Sequence, residues 1–137
     1  MNARRAALAT LCLLAPLAGA SLPAVAQPTG GGWVKLGETR GAVLYLDRAS
    51  AKQIDDDTWQ AVEMQELKKP DPDGVASRRY VAEYNCKYQM YRIGNIVSYA
   101  GPRLTGQQLF NVEEYGYWRK VAGNTLFALG FVVHCAK

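Results

Sequence analysis

The chain has 137 residues, 49% of them hydrophobic, with 16 Lys and Arg against 12 Asp and Glu and a formal net charge of +4. That excess is too small for a protein that grips nucleic acid through a basic face. The length holds one small domain with one core, in a size range where burial is adequate but not generous.

Arg4 and Arg5 make a basic start, Ala6 to Ala20 is an apolar run broken by Pro16 and Gly19, and Ala24-Val25-Ala26 gives a small-x-small cleavage pattern. Residues 1–26 therefore read as a secretory signal peptide, with Ala18-Gly19-Ala20 as a second cleavage option. The apolar run is too short for a stable membrane span, so no transmembrane segment is expected. Cys12 lies inside it as a small hydrophobe and leaves with it, and no cysteine follows the cleavage point to carry a lipid. Loss of Arg4 and Arg5 lowers the net charge to +2, with 14 basic residues facing 12 acidic ones. In an oxidising compartment two cysteines pair by default, which makes Cys86–Cys135 the expected disulfide. Closing a loop of about fifty residues contributes roughly 4 kcal/mol on the chain-entropy model.

Residues 27–32 form a flexible tether, and the domain proper spans 33–137. Trp33, Val34 and Leu36 predict a short strand and Ala42 to Leu46 a second, across the polar turn Gly37 to Gly41. Arg48 to Ile54 fits either a helical turn or a third short strand, and Asp55 to Asp57 belong in solvent. From Thr58 to Leu67 the pattern alternates, Val62 and Met64 against Glu63 and Gln65, as in a half-buried strand. Lys68 to Gly74, rich in Pro, Asp and Gly, is a turn. The returning strand, Val75 to Cys86, places Tyr80, Ala82, Tyr84 and Cys86 on one face and Arg79, Glu83 and Asn85 on the other.

Gln89 to Tyr99 continues as one bent strand or two, with a bulge or turn at Gly94 and Asn95. Gln107 to Gly116 fits an edge strand or a loop. Asn124 is the expected N-cap of a C-terminal helix, in which Leu126, Leu129, Gly130 and Val133 line one side and Phe127, Phe131 and Cys135 an adjacent stripe. A helix so apolar all round must be covered over a broad face.

Chemistry is sparse. The Asp triplet lacks the further oxygen ligands and glycine turn of a calcium loop. His134, the single histidine, adjoins Cys135, but a nucleophile or a zinc pair needs a free cysteine and more ligands, so His134 is expected at the helix end near the carboxyl-terminal dipole. No carboxylate pair has a spacing imposed by sequence, and no serine sits in a nucleophile elbow. The reading is therefore not an enzyme, with no metal and no cofactor. The basic residues Arg78, Arg79, Lys87, Arg92, Arg103, Arg119 and Lys120 interleave with Tyr80, Tyr88, Tyr91 and Tyr117, a composition suited to protein recognition. Arg78, Arg79, Tyr80, Lys87, Tyr88, Tyr91 and Arg92 are the candidate protein-binding residues.

Trp33 opening the domain, Tyr45 and Asp47 ending a strand, Trp59, Tyr84 and Cys86, Trp118, the Gly123-Asn124 turn and the terminal Cys135 follow one another in an order that resembles the bacterial surface-adhesin protein E family. The resemblance implies a small antiparallel sheet with a C-terminal helix held on its concave face by the disulfide, often as a dimer. It also implies binding of host extracellular-matrix or serum proteins such as laminin, vitronectin or plasminogen. The expected fold is thus α+β: a single antiparallel sheet of about five to six strands with a C-terminal helix packed on one face and tied by a disulfide. The expected function is that of an exported, non-enzymatic binding protein of the periplasm or cell surface. The alternative is a soluble periplasmic structural or inhibitory module with a bacterial protein partner.

Overall fold

The computed structural model describes residues 32–136, so the expected signal peptide and residues 27–31 of the tether lie outside the described residues. Seven strands follow in order: β1 (Trp33–Glu38), β2 (Ala42–Gln53), β3 (Thr58–Leu67), β4 (Ser77–Asn85), β5 (Met90–Tyr99), β6 (Gln108–Val112) and β7 (Arg119–Lys120), before the helix α1 (Leu126–Cys135). They make one antiparallel sheet in the order β1 to β6, with β7 also pairing β5. From β1 to β6 each strand lies beside its sequence neighbour because the polar turn between them returns the chain directly. The Asp71 carboxylate accepts from the backbone N–H groups of Asp73 and Val75 at 3.0 Å, and the Asp55 carboxylate accepts from Asp57 N–H at 2.9 Å. Short polar side chains that bond the backbone two to four residues on are what hold such turns closed.

The register puts Leu44, Leu46, Ala61, Glu63, Gln65, Tyr80, Ala82 and Tyr84 on one face. α1 lies across that face, against β1, β2 and β4. Its apolar contacts fall into two clusters. Ala42, Leu44 and Leu126 gather Leu36, Leu67 and Leu129 on one side, and Tyr80, Ala82 and Tyr84 gather Ile93, Phe127 and Phe131 on the other. Between them runs β3, which presents Glu63 and Gln65 to the helix. Alternation predicts these two as the polar side of a half-buried strand; the structure buries them, at 0% and 9% exposure.

Met64, on the opposite face, is buried as well, so both faces of β3 are covered. The second cover is a 3-10 turn, Pro102–Leu104, drawn onto the sheet by Ser77, whose hydroxyl donates to the Gly101 carbonyl at 2.6 Å and accepts from Leu104 N–H at 2.8 Å. Arg103 then lies 4.5 Å over the Tyr45 ring.

Residues 48–53, open between helix and strand in the sequence, extend β2 past a register shift. Gln108–Val112 is an edge strand, and β5 runs through Gly94 and Asn95 as one strand, with a register shift against β4 and Asn95 at φ 49°. The N-cap of α1 is Thr125, whose hydroxyl accepts from Ala128 N–H at 3.2 Å; Asn124 stands one residue earlier in the left-handed region. Cys86 and Cys135 are bonded, with their Cα atoms 5.3 Å apart, which ties the last turn of α1 to the end of β4.

Candidate functional site

β5 is the last full-length strand, and two short segments share its outer edge. β6 pairs with Ile96–Tyr99 and β7 with Met90–Tyr91. Residues 113–118 bridge the interval between them, tied to β5 by Asn95 N–H donating to the Glu113 carbonyl and Gly116 N–H donating to the Ile93 carbonyl. Tyr115 leaves this bridge and lies flat on Gly94: a Cβ at that position would sit 2.6 Å from the Tyr115 ring, so no larger residue fits under it.

The interval opens into a cavity of about 390 Å³ lined by Tyr91, Ile93, Ile96, Val112, Tyr117 and Phe127, with Arg92, Glu114 and Arg119 as its charged members. Phe127 reaches it from α1 and stacks on Tyr91, the ring centroids 4.0 Å apart and the planes 15° from parallel. Tyr117 is 90% exposed. Arg92 is fixed: its Nε donates to Glu83 at 2.6 Å, and its guanidinium lies 5.1 Å from the Tyr115 ring and 4.7 Å from that of Trp118. Arg119 makes no ion pair among the described residues.

The candidate binding residues divide into two groups. Tyr91 and Arg92 line the cavity, and Lys87 and Tyr88 occupy the adjoining β4–β5 turn, where Lys120 Nζ donates to the Tyr88 carbonyl at 2.8 Å and Lys87 Nζ lies 5.4 Å from the Tyr88 ring. Arg78 and Arg79 stand near the opposite end of β4, roughly 20 Å away at strand rise. They point to opposite faces, and Arg78 is paired with Asp71 at 3.4 Å. Tyr80 must be removed from the surface group: it is fully buried under α1, its hydroxyl accepting from Gln65 Nε2 at 2.9 Å. Tyr117 and Arg119, outside the candidate set, belong beside Tyr91 because β7 pairs with β5. The interleaving of basic and aromatic residues marks both, but only the register shows which of them gather.

A second feature lies under the helix. The Tyr84 hydroxyl donates to both oxygens of the buried Glu63 carboxyl, at 2.9 and 3.0 Å. Burial pushes the Glu63 pKa up to about 7, against the lowering effect of hydrogen bonds from Tyr84 and Tyr80. Gly130 covers this pair: a Cβ there would lie 2.1 Å from Tyr84 Oη and 2.6 Å from Glu63 Oε1. His134 lies in the last turn of α1, as expected, but burial works against a charge there. Its ring stacks on Trp59 and Tyr84, at 5.9 and 5.6 Å, its Nε2 is buried without a partner, and burial lowers its pKa. Cys135 is held in the disulfide, so the His134-Cys135 pair offers no thiol. Among the described residues no three His, Cys, Asp or Glu side chains group as a metal cluster.

A one-sheet α+β domain with its C-terminal helix bonded back to the sheet, and an apolar opening in the sheet edge, defines the structural class. The chain belongs to the surface-adhesin protein E family, whose model matches residues 33–136. Among solved structures it is similar to crystal form II of Haemophilus influenzae protein E, at 15% identity and a TM-score of 0.56, over 78% of this chain and 89% of that one. The selenomethionine form of the same protein matches at 14% identity and a TM-score of 0.55, over 79% and 88%. At such identities the likeness is one of fold. No curated protein sequence matches the chain significantly.

Proposed function

We propose that this chain is an exported, non-enzymatic adhesin that binds a host extracellular protein through the sheet edge formed by β5, β6 and β7. Membership of the family supports the adhesin role, and the signal-like residues 1–26 support export. The observation that carries the choice of surface is an apolar cavity in a sheet edge with the 90% exposed Tyr117 at its side. Phe110 and Val112 on β6 add exposed apolar area, and Lys87, Arg119 and Lys120 supply a basic border. Apolar and aromatic surface grouped in this way, next to charges that steer approach, is the composition of a protein-recognition patch.

The test is binding of the purified, oxidised domain to immobilised laminin, vitronectin and plasminogen, beside the variant carrying Tyr117→Ala and Arg119→Glu. Loss of a central aromatic together with reversal of a border charge is expected to weaken binding by roughly 2 kcal/mol or more, about thirtyfold. Equal binding by the two proteins, or none by either, would remove this reading. The lack of a cysteine after the signal favours a second reading, a soluble periplasmic module with a bacterial partner. Protection of the protein from protease added to intact cells is the result that would favour it. No helix among the described residues is long and apolar enough to cross a membrane.

A further inference from the structure

The Glu63 carboxyl, on the central strand of the sheet, lies directly beneath the backbone of α1 at Gly130, in a space too tight for a methyl group. No cation accompanies it. Its neighbours on β4 are the phenols Tyr80 and Tyr84, with Tyr91 opposite Tyr84 on β5. On β2 it faces Leu46, and beyond that Val34 of β1. Arg78, on the same face of β4, is engaged by Asp71. From α1 the one titratable group is His134, stacked on Tyr84, where burial disfavours its charged form. An ionised carboxylate sealed without a counter-charge is far costlier than one reached by water. Of the two covers over Glu63, β3 and β4 form an unbroken hydrogen-bonded ladder and α1 is a ten-residue segment tied by one disulfide to the residue after β4. The helix is the cover that can move.

We propose that Glu63 is a proton-operated latch for α1. With the carboxyl protonated the helix is seated on the sheet. When the proton leaves to solvent, the carboxylate draws in water and α1 lifts, still tethered through Cys135. Because Phe127 is the α1 wall of the edge cavity and stacks on Tyr91, seating the helix also sets the shape of that cavity. The consequence for binding rests on the adhesin reading above; the movement of the helix does not. The Glu63 pKa of about 7 places the transition between mild acid and neutrality.

Amide hydrogen exchange of the oxidised protein, without partner and corrected for intrinsic rates, tests this directly. Raising the pH from about 5 to about 8 should increase opening of α1 by a few tens-fold more in the wild type than in Glu63→Gln, with α1 opening at every pH at a lower free energy than β3 and β4, which exchange through global unfolding. The comparison between the two proteins removes the contribution of His134, present in both. If Glu63→Gln fails to fold, Tyr84→Phe serves instead, since loss of the donor to the carboxylate should move the α1 opening midpoint to higher pH. An equal pH response in wild type and variant, or α1 exchanging only together with the sheet, would overturn the latch. Because no partner is present, failure of host-protein binding leaves this result unaffected, and failure of the latch leaves the binding surface untouched.

Discussion

Glu63 is the residue on which the chemistry of the core turns. Its folded pKa of about 7 lies above the ordinary 4.5, so the folded state holds the proton more tightly than the unfolded chain does. Stability from this group is therefore complete below about pH 4.5 and is lost as pH rises through about 7, by about 3 kcal/mol in all. Urea denaturation of the wild type should show that decline between about pH 4.5 and 7, and Glu63→Gln should flatten it. Gly130 is fixed by the same contact: Gly130→Ala would place a methyl group against Tyr84 and Glu63, and a loss of about 3 kcal/mol is expected in the same assay. Neither role was legible in the sequence. Glu63 and Gln65 alternate with Val62 and Met64 as solvent-facing residues do, but alternation distinguishes inside from outside only where one face of a sheet is wet. β3 is covered on both sides. Tyr80 misleads for a related reason, since a tyrosine beside two arginines has the composition of a surface and here belongs to the core.

At the level of elements, the turn chemistry carried most of what could be read in advance. Asp71 and Asp55 bond their own loops, and the strands they separate fall where the alternating segments predict them. The segment 107–116 stayed ambiguous because β6 is a short edge strand with little buried surface, and its pairing is decided by β5 rather than by its own pattern. For α1, an apolar composition on all sides hid which side is buried; Val132 and Val133 are exposed, and Leu126 and Gly130 are buried. The helix has ten residues, too few to be stable alone, so its cap and its tether carry unusual weight. Thr125→Ala removes the side-chain acceptor for Ala128 N–H and should cost about 1 kcal/mol, whereas Asn124→Ala should not act as loss of an N-cap, which thermal denaturation of the two variants would separate.

In the molecule as a whole, the disulfide joins the two parts that the sheet alone does not hold together. Cys86–Cys135 was legible from the count of cysteines left once the expected signal peptide is set aside, and it closes a loop with a sequence separation of 49. Reduction should lower stability by roughly 4 kcal/mol on the chain-entropy model, with α1 lost first, which helical circular dichroism followed during reduction would show. The proposed binding surface was only half legible: Lys87, Tyr88, Tyr91 and Arg92 do gather, but Tyr117 and Arg119 join them through the pairing of β7 with β5, a relation between segments about thirty residues apart that no local pattern contains. We propose that this edge, and not the Arg78–Arg79 end of β4, meets the partner. Hydroxyl-radical footprinting of the oxidised protein with and without a bound matrix or serum protein tests it most directly, because Tyr88, Phe110 and Tyr117 are exposed aromatic reporters on or beside the edge. Protection of Tyr117, Tyr88 and Phe110 in the complex is the predicted result. Unchanged oxidation at all three while the partner is bound would contradict it.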